Sequence, residues 1–458
     1  VPVLSIGGFN GGGYSNATPR LALALGAGQV TAVLGAWVHN YPHLSQAGPG
    51  FGFLAEVLAF WRLHLGDEVK PGSGSERPPT PPPVPPVRVH VQRPPLTGGP
   101  VTTPERADGY WVASDSQKAL NGAADAAALA FNLGVDGAML PVDATAAAAA
   151  ARRGAGGVLF KNGATVALTD SPEAPVGVAS GRWFTFGDGA DLPGDQRPDD
   201  ALSACFDAAP VAVETALVGA PRVTVTLRGA GTDGVVVVRL CAVAPDGSSH
   251  RVTYGAADYV VADLGDVATA RAVSVECNYC AFSLPPGWRL RLAVSQTYWP
   301  IFAPSSAREF TPLAIAGGSV VVPVLPVAYT VAAARAAAAA TVPGLEVLAA
   351  PRATLLRRGK GVVNTLPVLA RGETEVKRSV DLGARRFDSQ PCAGLVVEET
   401  SLDTSELRTN TQRVERRRVV RGVRPASNFP SAPGSPKGTR GGNGPGAHGS
   451  AVAVAVAV

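Results

Sequence analysis

Residues 31–43 read TAVLGAWVHNYPH (Thr31–His43), an apolar run that climbs to Gly35, passes Trp37 and stops on His39. Just upstream, VPVLSIGGFNGGGYSNA (Val1–Ala17) repeats the form: an apolar run ending in a polar, Gly-rich loop. Between them, Pro19 to Leu25 reads as a helix with proline in its first turn. Strand, loop, helix, strand, loop is half of a parallel α/β sheet. Such sheets carry their chemistry on the loops at the carboxyl ends of the strands. His39 is therefore the first candidate catalytic residue.

The 458 residues are enough for two or three domains with sizeable cores. The first residue is Val, already inside what reads as a buried strand. The expectation is a fragment whose N-terminal part is missing. A net charge of +4 from 40 basic and 36 acidic residues is too balanced to point to a nucleic-acid partner. The one basic cluster, RVERRRVVRGVR (413–424), reads as a solvated face or tail. Five cysteines are too few and too scattered for a disulfide framework. Cys277 and Cys280 form a lone CNYC, without the second pair zinc needs or the context a redox site needs, so they read as structural. The apolar run at 324–350 is broken by Arg335, Pro343 and Glu346, so no membrane helix is expected. With no signal segment in view, the expectation is a soluble, cytoplasmic protein that takes no cofactor or metal and binds no membrane.

Further along, GFLAEVLAFWRLHL (Gly52–Leu65) places Phe53, Leu54, Val57, Leu58, Trp61 and Leu65 at helical spacing, predicting an amphipathic helix packed on the sheet. His64 on it reads as a surface or packing residue. PGSGSERPPTPPPVPP (71–86) is a Pro-rich linker. Beyond it the chain reads β. VRVHVQ (Val87–Gln92) alternates, and VTVTL (Val223–Leu227), VVVVRLCAV (Val235–Val243) and RLRLAV (Arg289–Val294) follow between Pro and Gly turns. Many short strands without long helices predict a sandwich or jelly roll. Two Ala-rich segments, 122–130 with 144–151 and then 331–340, read as a helical insertion or as low-complexity padding. The expected division is 1–70, the C-terminal part of an α/β catalytic domain; 71–86, a linker; 87–420, a β-sandwich with Ala-rich insertions; and 421–458, a disordered tail.

This order of elements resembles the serine hydrolases of the cocaine esterase and X-Pro dipeptidyl-peptidase family. Those proteins join an α/β-hydrolase domain to a C-terminal jelly roll. VPVLSIGGFNGGGY (Val1–Tyr14) is similar to their penultimate sheet strand. LGAWVH (Leu34–His39) is similar to the last, with Ala36 where the family has Pro. YPH (Tyr41–His43), GPGFGFLAE (Gly48–Glu56) and FWRLHLG (Phe60–Gly66) also resemble that family. In the β region the resemblance rests on DLPGDQRPDDALSACFDAAP (Asp191–Pro210), LVGAPRVTVTL (Leu217–Leu227), VRLCAVAPDGSSHRVTYG (Val238–Gly255) and LPPGWRLRLAVSQTYWPIFAPS (Leu284–Ser305).

The resemblance implies a serine hydrolase acting on a small ester or an N-terminal X-Pro dipeptide through an acyl-enzyme. A Ser attacks, a His takes its proton, and a carboxylate fixes the His tautomer and stabilises the imidazolium. His39 occupies the position of the base. The elbow G-x-S-x-G does not occur in the 458 residues; on this fold the Ser comes earliest in the chain, so it is expected upstream. Where the acid should follow GGF stand Asn10, Gly11, Gly12 and Gly13. Asn10 is a candidate that could orient an imidazole without stabilising its charge. Glu56 and Asp67, the nearest acids downstream, lie away from the strand end. Trp37 and Trp299 are candidates for walling an acyl or peptide pocket, against the plainer reading that they pack a core or domain interface. His43 lacks the third ligand of a metal site, and Asp195, Asp199 and Asp200 read as turn and cap residues. The alternative to an enzyme is an inactive descendant whose jelly roll is a binding module.

Overall fold

The computed structural model describes residues 2–10, 12–25, 29–39, 41–42, 52–65, 85–94, 109–114, 120, 128–145, 158–171, 174–183, 192–229, 234–259, 270–302, 313–325, 353–357, 361–365, 375–387, 395–406 and 411–422. Strand β1 (Val3–Asn10), helix α1 (Ala17–Leu25) and strand β2 (Val30–Val38) form the expected strand–helix–strand part of a parallel α/β layer. β1 and β2 run parallel from Val3 opposite Val30 to Asn10 opposite Val38. α1 turns Thr18, Pro19 and Ala22 onto the sheet, and Thr18 Oγ1 lies 2.9 Å from Ser5 Oγ of β1.

Helix α2 (Phe53–Leu65) forms where the apolar spacing predicts it, but presents a different face. Leu54, Leu58 and Trp61 are exposed, whereas Phe53 packs against the cluster of Val33, Trp37 and Trp111. The reason is ionic. Glu56 is buried against Arg88, which is itself fully buried, and an ion pair at that depth dictates which side of the helix meets the sheet.

Arg88 belongs to strand β3 (Val87–Gln92), and here the expected domain boundary moves. β3 does not open the sandwich; it joins the α/β layer as a third parallel strand, with Ala32 opposite Val87. Both its faces are covered, so Arg88 and His90 are buried along with the valines between them. Strand β4 (Gly109–Ser114) pairs antiparallel with β3.

The remaining strands of this unit are β5 (Ala128–Leu133), β6 (Met139–Val142), β7 (Val166–Ala167), β8 (Ala204–Asp207), β9 (Thr215–Gly219), β10 (Arg222–Arg228), β11 (Gly234–Val243), β12 (Ser249–Tyr259), β13 (Arg271–Glu276), β14 (Cys280–Leu284), β15 (Arg289–Ser295) and β16 (Ala314–Pro323). One sheet runs β13-β10-β16-β5-β6, with β7 on β16; another runs β12-β11-β15-β8. β14 and β9 leave the sandwich to extend the first sheet as β1-β2-β3-β14-β9. The α/β layer and the sandwich therefore share a sheet. Ala128–Ala130, within the Ala-rich stretch read as helical, are the start of β5: pairing with β16 outweighs alanine's weak helix preference. The alanines at 146–151 and 331–340, and the linker at 71–84, lie outside the described residues.

β11 shows how the sandwich is filled. Val236, Val238, Leu240 and Ala242 are fully buried in the main core with Phe206, Leu292, Val294 and Val320. The alternate residues Val237, Arg239 and Cys241 are equally buried on the other face. What covers them is the segment 192–203, with the short helix Arg197–Asp200, and the loop 174–183. Arg239, 0% exposed, meets Asp200 Oδ1 at 3.0 Å, Gln196 Oε1 at 3.0 Å and Ser203 Oγ at 2.9 Å. Asp199, also 0% exposed, accepts the N–H groups of Gly177, Val178 and Ala179 at 2.9, 2.9 and 3.0 Å. Arg291 adds a bidentate pair with Asp207 and reaches Asp200 at 3.2 Å.

Asp207 supplies a pH dependence whose sign is fixed. Burial works to raise its pKa, but the Arg291 and Arg289 hydrogen bonds outweigh it and hold the carboxyl below its ordinary value. Its stabilising contribution is present above the unfolded value of about 3.9 and is lost as pH falls through the lower folded value. Asp170 and Asp199, raised by burial, act in the opposite sense and lose stability as pH rises. Asp207→Asn is expected to flatten the acid limb of urea midpoint against pH below about pH 4. An unchanged limb would show that the Arg291–Asp207 pair does not govern it.

Residues 351–406 and 411–420, expected within the same domain as the sandwich, lie in a separate unit that begins at Pro351. It contains β17 (Ala353–Arg357), β18 (Gly361–Thr365), β19 (Glu375–Phe387), β20 (Leu395–Glu406) and β21 (Thr411–Gly422) in one antiparallel sheet. The arginines of 413–421 fall on β21, which pairs with β20 and ends the sheet order. Residues 423–458 lie outside the described residues. Among the described residues no helix is long and apolar enough to cross a membrane.

Candidate functional site

β2 carries Trp37 and Val38 inward and delivers His39 to the surface directly after its last residue. The position follows from the parallel sheet: both strands end on the same rim, so the loop after β1 faces His39. That loop contains the 3-10 turn Gly12–Tyr14. Its Tyr14 ring stacks on the His39 imidazole, centroids 5.3 Å apart and 22° from parallel. Both side chains are exposed.

Asn10 ends β1 beside Val38. Its amide Nδ2 donates to the Ala36 carbonyl at 2.8 Å, tying the end of β1 to the β2 backbone. Asn10 and His39 are brought to the same rim. Gly11 and His43 lie outside the described residues.

Trp37 is placed elsewhere. It is 1% exposed, and its ring folds back over Gly35 toward Trp111, 6.0 Å away. A Cβ at Gly35 would stand 2.7 Å from that ring, which is why glycine interrupts the apolar run. The ring is a core group and offers a ligand no surface. Trp299 likewise is 7% exposed, its backbone N–H donating to the Val176 carbonyl at 2.8 Å beneath the loop 174–183. For both tryptophans the packing alternative is the one the geometry supports.

One more aromatic lies at this rim, at a residue the sequence did not single out. Trp183, half-exposed at the end of the loop 174–183, lies against the β1 rim: a Cβ on Gly13 would meet its Cζ2 at 3.2 Å. Leu192, where the chain re-enters the sandwich, packs on Val38 immediately before His39. The sandwich thus supplies one side of the rim around His39. No spacing rule marks Trp183; only the fold brings residues 13 and 183 together.

His64 is exposed on α2 with its ring 4.5 Å from Phe60. The CNYC cysteines are buried: desolvation pushes Cys280 up to about 12 and Cys277 higher still, and Cys280 Sγ donates to the Gly219 carbonyl. Thiols held protonated in this way are packing groups. Among the described residues no three His, Cys, Asp or Glu side chains are grouped to hold a metal ion. Asp195, Asp199 and Asp200 spend their oxygens on arginines, Ser249 and backbone N–H groups.

Residues 124–314 match the family model described as the X-Pro dipeptidyl-peptidase C-terminal non-catalytic domain. No curated protein matches the chain. Among solved structures, an aminopeptidase from the marine sediment archaeon Thaumarchaeota archaeon is similar at 16% identity and a TM-score of 0.47 over 71% of this chain and 55% of that one. An α-amino acid ester hydrolase is similar at 17% identity and 0.40, over 65% and 50%. A CocE/NonD family hydrolase from Staphylococcus aureus is similar at 10% identity and 0.42, over 71% and 54%. The chain spans about half the length of each of these proteins.

Proposed function

We propose, taking residues 124–314 as the C-terminal non-catalytic domain of the X-Pro dipeptidyl-peptidase family, that the chain is part of a serine hydrolase in which His39 is the general base. The substrate class is a small ester or an N-terminal X-Pro dipeptide. The observation that carries the reading is the position of His39, exposed at the carboxyl rim of the parallel strands and stacked on Tyr14 from the neighbouring loop. A base there takes the proton of a serine hydroxyl as it attacks a carbonyl, then returns it to the leaving group. The nucleophile would precede β1 in the chain, as this fold orders its triad.

The orienting position holds Asn10, whose amide can fix an imidazole but cannot stabilise its cation. Asn10 therefore favours a second reading, an inactive relative whose sandwich binds a partner. One experiment separates the two. The full-length gene product is assayed with p-nitrophenyl acetate and Gly-Pro p-nitroanilide, beside its Asn10→Asp variant. The enzyme reading expects slow turnover by the parent, raised about 10²-fold or more by the variant, because a carboxylate in place of the amide is worth up to about 10⁴ in kcat. Absence of turnover in both would leave the inactive relative.

A further inference from the structure

The loop that stacks on His39 is held by the turn through which the sandwich strand β13 passes into β14 of the shared sheet. Asn16, at the start of α1, uses both ends of its side chain on the turn between β13 and β14. Its Nδ2 donates to Asn278 Oδ1 at 2.8 Å, and its Oδ1 accepts the Tyr279 N–H at 2.7 Å. Nearby, Phe9 stacks on Tyr279 with centroids 6.0 Å apart and 19° between planes. Arg20 faces Glu276 at 3.5 Å, but that pair is exposed and contributes little. Within the loop, the Ser15 hydroxyl donates toward the carbonyls of Phe9 and Gly12, at 3.1 and 2.8 Å, and its side chain is buried. On the far side Trp183 bears on Gly13.

These contacts form one chain of force. Asn278 and Tyr279 lie on the turn that leads from β13 of the sandwich into β14 of the shared sheet, Asn16 joins them to the end of the loop, Ser15 closes the loop on itself, and Tyr14 next to it carries the ring that stacks on His39. We infer that Asn16 is a positioning residue through which the sandwich sets the orientation of Tyr14 on His39. The sandwich then acts on the candidate site through two hydrogen bonds without touching substrate. A two-ended side-chain amide suits this role, since it fixes both position and rotation of the helix start, where a single bond would leave a hinge.

The catalytic consequence rests on the reading of His39 as base; the structural inference does not, and the test keeps them apart. The His39 Hε1 resonance of the full-length protein reports the ring current of the stacked Tyr14. It is followed by NMR in Asn16→Ala, Asn278→Ala and Asn16→Asp at a temperature where each remains folded. Both alanine variants are expected to move the resonance toward its position in an unstructured peptide. Asn16→Asp is expected to restore it, because a carboxylate accepts from Tyr279 N–H and from a flipped Asn278 amide alike. In a protein that turns over p-nitrophenyl acetate, the alanine variants should lose about tenfold in kcat with KM changed less than twofold.

An unmoved resonance in both alanine variants would overturn the inference. So would equal displacement in Asn16→Ala and Asn16→Asp, which would reduce Asn16 to general helix stability. Displacement in a protein that shows no turnover at all would uphold the inference while removing the hydrolase reading.

Discussion

Replacement of Asp199 by alanine is expected to destabilise the sandwich by about 3–5 kcal/mol, the largest stability effect of any single substitution considered. Asp199 is fully buried, and its two oxygens take three consecutive backbone N–H groups, those of Gly177, Val178 and Ala179. Alanine would leave these donors facing an apolar void and remove one of the two carboxylates that offset the buried Arg239 charge. Each loss is costly because the groups remain desolvated when their partner has gone. An arginine guanidinium stays protonated throughout the working pH range, so the buried Arg239 charge remains after the substitution. In thermal melts followed by tryptophan fluorescence, the expected fall is about 10 °C. Glu276→Ala is the control: its pairs with Arg20 and Arg222 are exposed on both sides, and the expected change is under about 1 kcal/mol. Equal effects of the two substitutions would show that the buried network is not what clamps the loop 174–183.

His39→Ala carries the largest expected effect on activity. A base that accepts the serine proton cannot be replaced by water without losing about 10⁴-fold or more in kcat, while substrate binding is left nearly intact. KM should therefore stay within about threefold as kcat collapses. His64→Ala provides the matched control, being another exposed histidine of the same layer, seated on α2 against Phe60; it should leave kcat unchanged. Turnover retained in His39→Ala would show that the base lies elsewhere.

Much of this architecture could be read from residue pattern. The strands over Val3–Asn10 and Val30–Val38 follow from apolar runs that end in polar loops, β11 from its β-branched run, and β15 from alternating Arg and Leu after a Pro-Pro-Gly turn. His39 was legible because a strand ends on it. Three features were not, each for a physical reason. Val87–Gln92 alternates like a half-exposed strand, yet its polar members Arg88 and His90 are buried, because Glu56 and Trp111 meet them from other elements. The apolar side of α2 seemed to choose its own face, but the Glu56–Arg88 pair overrode it and left Leu54, Leu58 and Trp61 in solvent. Trp183 and Asn16 act through contacts 170 and 262 residues away along the chain, and no local pattern encodes a partner at that distance. Trp37 and Trp299 illustrate the converse: two conspicuous residues in a resembling motif lie buried.

The central claim is that His39 activates a nucleophile at the carboxyl rim of the parallel sheet. Fluorophosphonate labelling of the full-length protein, with the modified residue located by mass spectrometry, tests it with the least intervening assumption. The expected result is a single serine adduct in the parent and labelling slowed about 10²-fold or more in His39→Ala, since an unactivated hydroxyl is a weak nucleophile. No adduct in the parent, or equal labelling rates in parent and variant, would contradict it.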